Sequence, residues 1–444
     1  MLLRIVLLLA LFVPSTASLA AAEKAAGTAG ADVTMLEDLN ILDLPTDNIL
    51  WHVERSAQPR KAHEIFRDVS VMADGHVVFA GQMGDENGKW EQSAYMALYD
   101  KSGALKAENL SALAGFQTIY DIQNYDDVLI AMGDYSEPQS ADDLWGAADG
   151  GDDKIFIRIY DAQLQNLLHE IYLEDLQGGL YSPRMVAHDG ALYFKALQRN
   201  AQMQESTILY TLDIALNDGD YTVLTREIGR YAGRSYDVVI DNDALYASGQ
   251  ADEARLIKQP IKGQMAETLA VASEAVSEKV SNFSALIASA DHKIWVAGEW
   301  QGQNKREGIF GHFDAAGDFF LKQHFAAQDK ALFSAKRLID INETTMAALY
   351  FLEPEAQDQP RFSLLMFLSK KSGALCQAYR LGDAQNNNIL AYNGAYQDGV
   401  LYIAGALAPK LSGRLSGSRL QKARFMAYNA YGLVINVKGL ETCP

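Results

Sequence analysis

One short pattern returns seven times along the chain, and nothing else in the sequence constrains the fold as strongly. Its clearest copies are DVSVMADGHVVFAG from Asp68, SPRMVAHDGALYFKA from Ser182, YDVVIDNDALYASG from Tyr236, SALIASADHKIWVAG from Ser284 and YNGAYQDGVLYIAG from Tyr392. Looser copies start at Tyr120 and Lys336. Each is an apolar run, a polar turn such as Asp74-Gly75 or Asp398-Gly399, and a second apolar run that mostly closes on Gly or Ala. Asp-Gly between two apolar runs signals a tight β-hairpin, because glycine adopts the positive φ such turns require. With the turns marked by Asp74, Asp126, Asp189, Asn242, Asp291, Glu343 and Asp398, the spacings are 52, 63, 53, 49, 52 and 55 residues.

A second hairpin follows most copies, as in AYMALYDKSGALKAENL from Ala94 and GIFGHFDAAGDFFLKQHF from Gly308. The copy from Arg255 is less regular and carries Pro260, which suits the edge of a sheet. Four strands per unit, repeating at about fifty residues, predict the blades of a β-propeller. The chain resembles the delta-60 and WD-repeat-like propellers of exported bacterial proteins, although it lacks the Gly-His and Trp-Asp dipeptides of WD repeats. The resemblance implies a fold and no activity, since propellers carry many unrelated functions. The expectation is an all-β chain: one seven-bladed β-propeller of four-stranded antiparallel blades over 48–444, with blades starting near 67, 118, 182, 234, 282, 334 and 388.

Residues 1–22 read as a secretory signal: Arg4, an apolar run from Ile5 to Val13, Pro14, then small residues ending in an Ala20-x-Ala22 cleavage pattern. Nine apolar residues are too few to span a bilayer, which takes roughly 20 in a helix. Residues 23–47 read as a flexible leader, and 48–56 as an extra strand, either a fifth strand of the last unit or a packing segment. A periplasmic or secreted protein without a membrane span is expected. Export makes a disulfide between the two cysteines, Cys376 and Cys443, the natural reading. The formal charge of −19 opposes binding to nucleic acid or anionic lipid.

No G-x-S-x-G, H-E-x-x-H or phosphate-loop spacing occurs, and the eight histidines fall at no metal-ligand spacing, so no catalytic residue, metal or cofactor is expected. Aligned on their turns, the first strands place Val69, Asp121, Arg184, Asp237, Ala285, Arg337 and Asn393 at one position. Asp68, Tyr120, Pro183, Tyr236, Ser284, Lys336 and Tyr392 then lie one residue earlier. Charges at strand starts must pair or face a ligand. Asp121, Arg184, Asp237 and Arg337, flanked by Tyr120, Tyr236 and Tyr392, are therefore the candidate ligand-binding residues, with an ion-pair girdle as the structural alternative. A basic segment with Lys410, Arg414, Arg419, Lys422 and Arg424 is the candidate contact to an anionic protein partner, with a solvated hairpin tip as the structural alternative; the acidic stretch from Asp142 to Asp153 reads as solvated, or as a calcium loop. The function these features favour is a binding or scaffold protein that holds a partner or a small polar ligand at one channel mouth. The alternatives are a hydrolase or lyase using the carboxylate and arginine cluster, and a propeller subunit of an exported redox complex.

Overall fold

The computed structural model describes residues 33–55, 64–84, 92–111, 113, 115–137, 153–175, 178–217, 220–250, 254–262, 267–270, 280–301, 306–326, 332–353, 362–382, 388–408, 428–441 and 443. Nearly all of them lie in strands. β1 (Val33–Met35), β2 (Ile41–Asp43) and β3 (Ile49–Arg55) form an amino-terminal arm, with two single 3-10 turns between them. Antiparallel ladders follow in chain order. The first is β4 (Ile65–Val71), β5 (Val77–Gly84), β6 (Gln92–Tyr99) and β7 (Leu105–Leu110); the second is β8 (Phe116–Tyr125), β9 (Val128–Ser136), β10 (Lys154–Asp161) and β11 (Leu167–Leu173). Next come β12 (Gly179–His188), β13 (Ala191–Arg199), β14 (Glu205–Asn217) and β15 (Asp220–Ala232), then β16 (Val238–Asp241), β17 (Ala244–Gln250), β18 (Ala254–Pro260) and β19 (Glu267–Ala270). β20 (Val280–Ala288), β21 (Ile294–Gln301), β22 (Arg306–Phe313) and β23 (Phe319–Ala326) precede β24 (Leu332–Asp340), β25 (Thr345–Glu353), β26 (Phe362–Ser369) and β27 (Leu375–Leu381). The last ladder is β28 (Asn388–Gln397), β29 (Val400–Ala408) and β30 (Asn429–Asn436), completed by β3. The first two ladders merge into one sheet through a single pairing, Gln92 with Phe116.

The first strand of each ladder packs on the first strand of the next: β4, β8, β12, β16, β20, β24 and β28, and β28 returns to β4. This closed ring of radially arranged sheets is a β-propeller. Its core is a set of apolar layers between neighbouring ladders. Trp295, Phe310, Phe333 and Tyr350 fill one such layer, and Phe66, Phe79, Tyr99, Ala404 and Val434 fill the one that joins the last ladder to the first.

Polar groups bridge the same junctions. Asp68 accepts the backbone N–H of Ile122 at 2.7 Å, Asp121 that of Met185 at 3.1 Å, and Asp237 that of Leu286 at 2.9 Å. Lys195 donates to the Ser235 carbonyl at 2.9 Å, the Tyr350 hydroxyl to the Ile309 carbonyl at 2.7 Å, and Ala391 N–H to Ser363 Oγ at 2.9 Å. The Asn393 amide closes the ring on Asp68. Buried donors and acceptors are costly unless satisfied, so one side chain per junction both locks the neighbours and removes that cost.

The arm differs from expectation in two ways. The segment read as a flexible leader carries β1 and β2, which add in parallel to the outer edges of β23 and β27 (Val33 opposite His324, Ile41 opposite Ala378). β3 is the fourth strand of the last ladder, not a fifth, because that ladder contributes only three strands of its own among the described residues. Outer strand edges expose unpaired backbone groups, and a short pairing segment satisfies them. Pro260 sits at the end of β18, past Lys258, where pairing with β19 stops, so its missing N–H costs no ladder bond to that strand. Cys376 on β27 and Cys443 beyond β30 form a disulfide, with Cα atoms 4.9 Å apart. Residues 1–22, read from the sequence as a secretory signal, the acidic stretch up to Asp152 and the basic segment with Lys410, Arg414, Arg419, Lys422 and Arg424 lie outside the described residues.

Candidate functional site

A glycine toward the end of the second strand in five of the seven ladders, Gly81, Gly133, Gly249, Gly298 and Gly405, marks the level at which the channel mouth is built. A Cβ on Gly81, Gly133, Gly298 or Gly405 would lie 2.0, 2.1, 2.1 or 2.3 Å from the carbonyl oxygens of Ile65, Thr118, Asn282 and Leu390 respectively. In each case the first strand bulges two residues after that carbonyl, skipping Arg67, Tyr120, Ser284 and Tyr392 in the pairing. β12 and β24 bulge at the matching place, around Ser182-Pro183 and at Lys336. A β-bulge places two residues opposite one and re-aims the extra side chain. Here the bulged residues turn into one cavity of about 350 Å³, lined by Arg67, Tyr120, Ser182, Ser284, Lys336 and Tyr392. Tyr236, which immediately precedes Asp237 and β16, joins them, as do Arg184, Asn282, Glu299, Arg306 and Ser334.

Pairing across the bulges corrects the register in the first unit. Asp68 lies opposite Ala80 as Asp121 lies opposite Met132, so Asp68, not Val69, is the equivalent of Asp121, and Arg67 is the equivalent of Tyr120. Val69 is buried in the apolar layer. The slip arises because alignment on the turn ignores turn length: Met72 and His76 pair through the backbone and lengthen the first turn.

Of the candidate residues, Tyr120, Tyr236, Tyr392 and Arg184 face the cavity, whereas Asp121 and Asp237 are buried beneath it. Arg184 Nη1 donates to Asp121 at 3.3 Å and to the Tyr120 carbonyl at 3.2 Å. Arg337 Nη1 donates to both oxygens of Asp237, at 3.0 and 3.2 Å. Each carboxylate is thus tied to an arginine and to a backbone N–H of the next ladder. Two carboxylates held this way make a girdle, an arrangement unlike the free acid and base that glycoside cleavage uses.

Burial sets the ionisation of the remaining groups. It pushes Asp68 up to about 8, with the Asp121 charge adding to the effect, and Asp134 up to about 7. It also raises the Tyr120 hydroxyl, which hydrogen-bonds Asp134. Lys195 donates to the carbonyls of Ser182 and Ser235, and burial together with the Arg184 charge brings it down to about 7. Burial opposes the charge on Arg184 too, but Asp121, Asp68 and Asp237 outweigh it and hold the guanidinium charged.

Arg67, absent from the candidates read from the sequence, stands between two rings, its guanidinium carbon 5.0 Å from the Tyr392 centroid and 5.5 Å from that of Tyr120. Its Nε is buried with no hydrogen-bond partner. Glu299 and Arg306, also unforeseen, pair at 3.6 Å in the lining, with Glu299 buried and Arg306 exposed. The signal for Arg67 was present in the recurring Arg67-Asp68-Val69, Tyr120-Asp121-Ile122 and Tyr236-Asp237-Val238. Lys195 interrupts an apolar run, ALYFKAL, and that interruption was the signal for it. At the opposite ends of the first strands, His188, Asp189 and Asp243 bring potential metal-ligand atoms within 4.8 Å of one another on an exposed surface.

No family model and no curated protein matches the chain. Among solved structures it is similar to the polysaccharide lyase Uly1, at 9% identity and a TM-score of 0.55, covering 88% of this chain and 100% of that one. It is also similar to YCF48 bound to D1 peptide (11% identity, TM-score 0.49, 85% and 100% covered). A third is the β-propeller domain of Cps50 (Swd1) from Myceliophteria thermophila (9% identity, TM-score 0.44, 77% and 94% covered). At 9% identity the likeness to Uly1 bears on the architecture alone, and together with the closed ring of sheets it shows that the chain is a β-propeller.

Proposed function

We propose that this chain is an exported, seven-bladed β-propeller binding protein that holds a polar ligand in the bulge-lined mouth of its ring. The observation that carries the reading is the convergence of the bulged residues of six first strands on one cavity. A bulge costs ladder pairing, and repeating it around the ring at one depth places polar and aromatic side chains where a ligand would sit. The cavity, about 350 Å³, is within the range of small-molecule sites. Counting the merged eight-stranded sheet as two ladders supports seven blades. Export accords with the disulfide and with the absence, among the described residues, of any helix long and apolar enough to cross a membrane.

The test is a thermal-shift screen of the mature chain against sugars, sugar acids, nucleotides and peptides, repeated with Tyr120→Ala and Tyr392→Ala. A ligand at 100 times its Kd adds about 2.7 kcal/mol to stability. A shift that both variants abolish supports the mouth as the site; a shift that survives in both places the ligand elsewhere and overturns the reading.

A further inference from the structure

The lining of the mouth has a charge opposite to that of the chain. A protein with a formal charge of −19 presents Arg67, Arg184, Arg306 and Lys336 to one cavity against a single carboxylate, Glu299. Two of these cations are partly committed, Arg184 to Asp121 and Arg306 to Glu299. Arg67 is different. Among the described residues it makes ring contacts with Tyr120 and Tyr392 but neither an ion pair nor a hydrogen bond, and its Nε is buried and unsatisfied. A guanidinium flanked by two rings keeps its donors in a fixed plane, and that fork matches the two oxygens of a carboxylate. Buried donors left without acceptors cost free energy, so a ligand that supplies acceptors would be favoured.

The rest of the lining narrows the class further. Ser182, Ser284, Ser334 and Asn282 offer hydroxyl and amide groups, and Tyr120, Tyr236 and Tyr392 offer ring faces. Hydroxyls on the ligand would be matched and a flat, partly apolar ring face would be covered, whereas the tail of an alkyl acid would meet polar groups. We infer, resting on the reading of this mouth as a ligand pocket, that its ligand is a hydroxylated carboxylic acid, a uronic-acid-bearing saccharide, whose carboxylate docks on Arg67. The buried acids do not weigh against this: burial raises Asp68 and Asp134, so they oppose an incoming anion less than ordinary carboxylates would, and Asp121 and Asp237 are each paired with an arginine.

Isothermal titration of the full chain with a galacturonic-acid disaccharide, its methyl ester, the matching neutral disaccharide and a glutamate-rich tetrapeptide tests this. The acid is expected to bind, the ester and the neutral sugar at least tenfold more weakly, and binding of the acid should weaken with added salt. Arg67→Gln should lower affinity for the acid at least tenfold and leave the ester unchanged; Lys336→Gln provides the same comparison should Arg67→Gln fail to fold. Equal binding of acid and ester overturns the inference yet leaves the polar-pocket reading standing. Binding of the tetrapeptide in preference to the saccharide overturns the saccharide class. No binding by any of the four overturns the inference, and the pocket reading is then judged separately by the broader screen with the tyrosine variants.

Discussion

Replacing Asp237 with alanine removes the acceptor for three donors at once: the N–H of Val238 at 3.0 Å, the N–H of Leu286 at 2.9 Å and the guanidinium of Arg337 at 3.0 Å. These belong to three successive ladders, so the change strikes two junctions of the ring. Each backbone N–H left buried and unpaired costs about 1 to 3 kcal/mol. The Asp237 side chain is 4% exposed and that of Arg337 is 29% exposed, so the arginine can turn partly to water and its loss adds only about 1 kcal/mol. The sum is about 3 to 7 kcal/mol. With an unfolding entropy of roughly 2.1 cal/mol/K per residue over roughly 400 residues, that lowers Tm by about 4 to 8 °C. Asp237→Asn keeps one acceptor oxygen and should lose about half as much. Thermal unfolding followed by circular dichroism gives the shift, and hydrogen exchange at the Leu286 amide locates it. A Tm within about 1 °C of the parent, or a Leu286 amide as protected in Asp237→Ala as before, would refute the idea that this carboxylate staples the ladders.

Gly133→Ala would put a Cβ 2.1 Å from the Thr118 carbonyl and 2.3 Å from the Phe156 ring; overpacking of this kind costs about 1 to 3 kcal/mol. Because the strain falls two residues before Tyr120, any ligand bound at the mouth should weaken as well, whereas Gly249→Ala, whose nearest neighbour is the flexible Arg255 side chain at 2.9 Å, should cost less in both respects. Replacing Cys376 and Cys443 together by serine opens a cross-link that spans 67 residues; the chain-entropy relation gives about 4 kcal/mol of stability lost, read from urea unfolding of the variant beside the oxidised parent. Glu205 is held down to about 2 because, although burial raises it, hydrogen bonds from Arg234, Tyr181 and Arg199 prevail. A carboxylate with a depressed pKa stabilises the fold above its unfolded value and loses that contribution as pH falls toward 2. Unfolding measured from pH 6 to 2 should therefore show a shallower acid-side loss in Glu205→Gln, and an unchanged slope would count against the assignment.

The hairpins, their period and the disulfide partners were legible because each follows from local chemistry: Asp-Gly turns, apolar runs, and two cysteines in a chain with a signal-like start. Tyr120, Tyr236, Tyr392 and Arg184 were legible as mouth residues because charge and aromaticity at strand starts need an outlet. Asp121 and Asp237 carried the same signal but sit beneath the cavity, since a carboxylate can be satisfied by amides of the neighbouring ladder, which are distant in sequence. Arg67 was missed for a geometric reason. A bulge inserts one residue on one strand only, so a register counted back from the turn drifts unless the turns are equally long. The order of β1 and β2 was also hidden, because a strand that merely tops up an existing edge needs backbone pairing more than an apolar pattern of its own.

The position of β3 has a consequence for the order of events during synthesis. Its partner β30 lies at the far end of the chain, and Asn48 Nδ2 reaches the Asn436 carbonyl across 388 residues. Although β1 and β2 leave the ribosome before it, β3 is the strand of the arm that must wait longest for its partner, until almost the entire polypeptide has followed. Contacts of such long range slow folding and extend the time during which strand edges can pair with the wrong chain. A circular permutant that begins at β4 and carries β3 after β30 would make the closing pair local and should refold faster and aggregate less, with the same final ring.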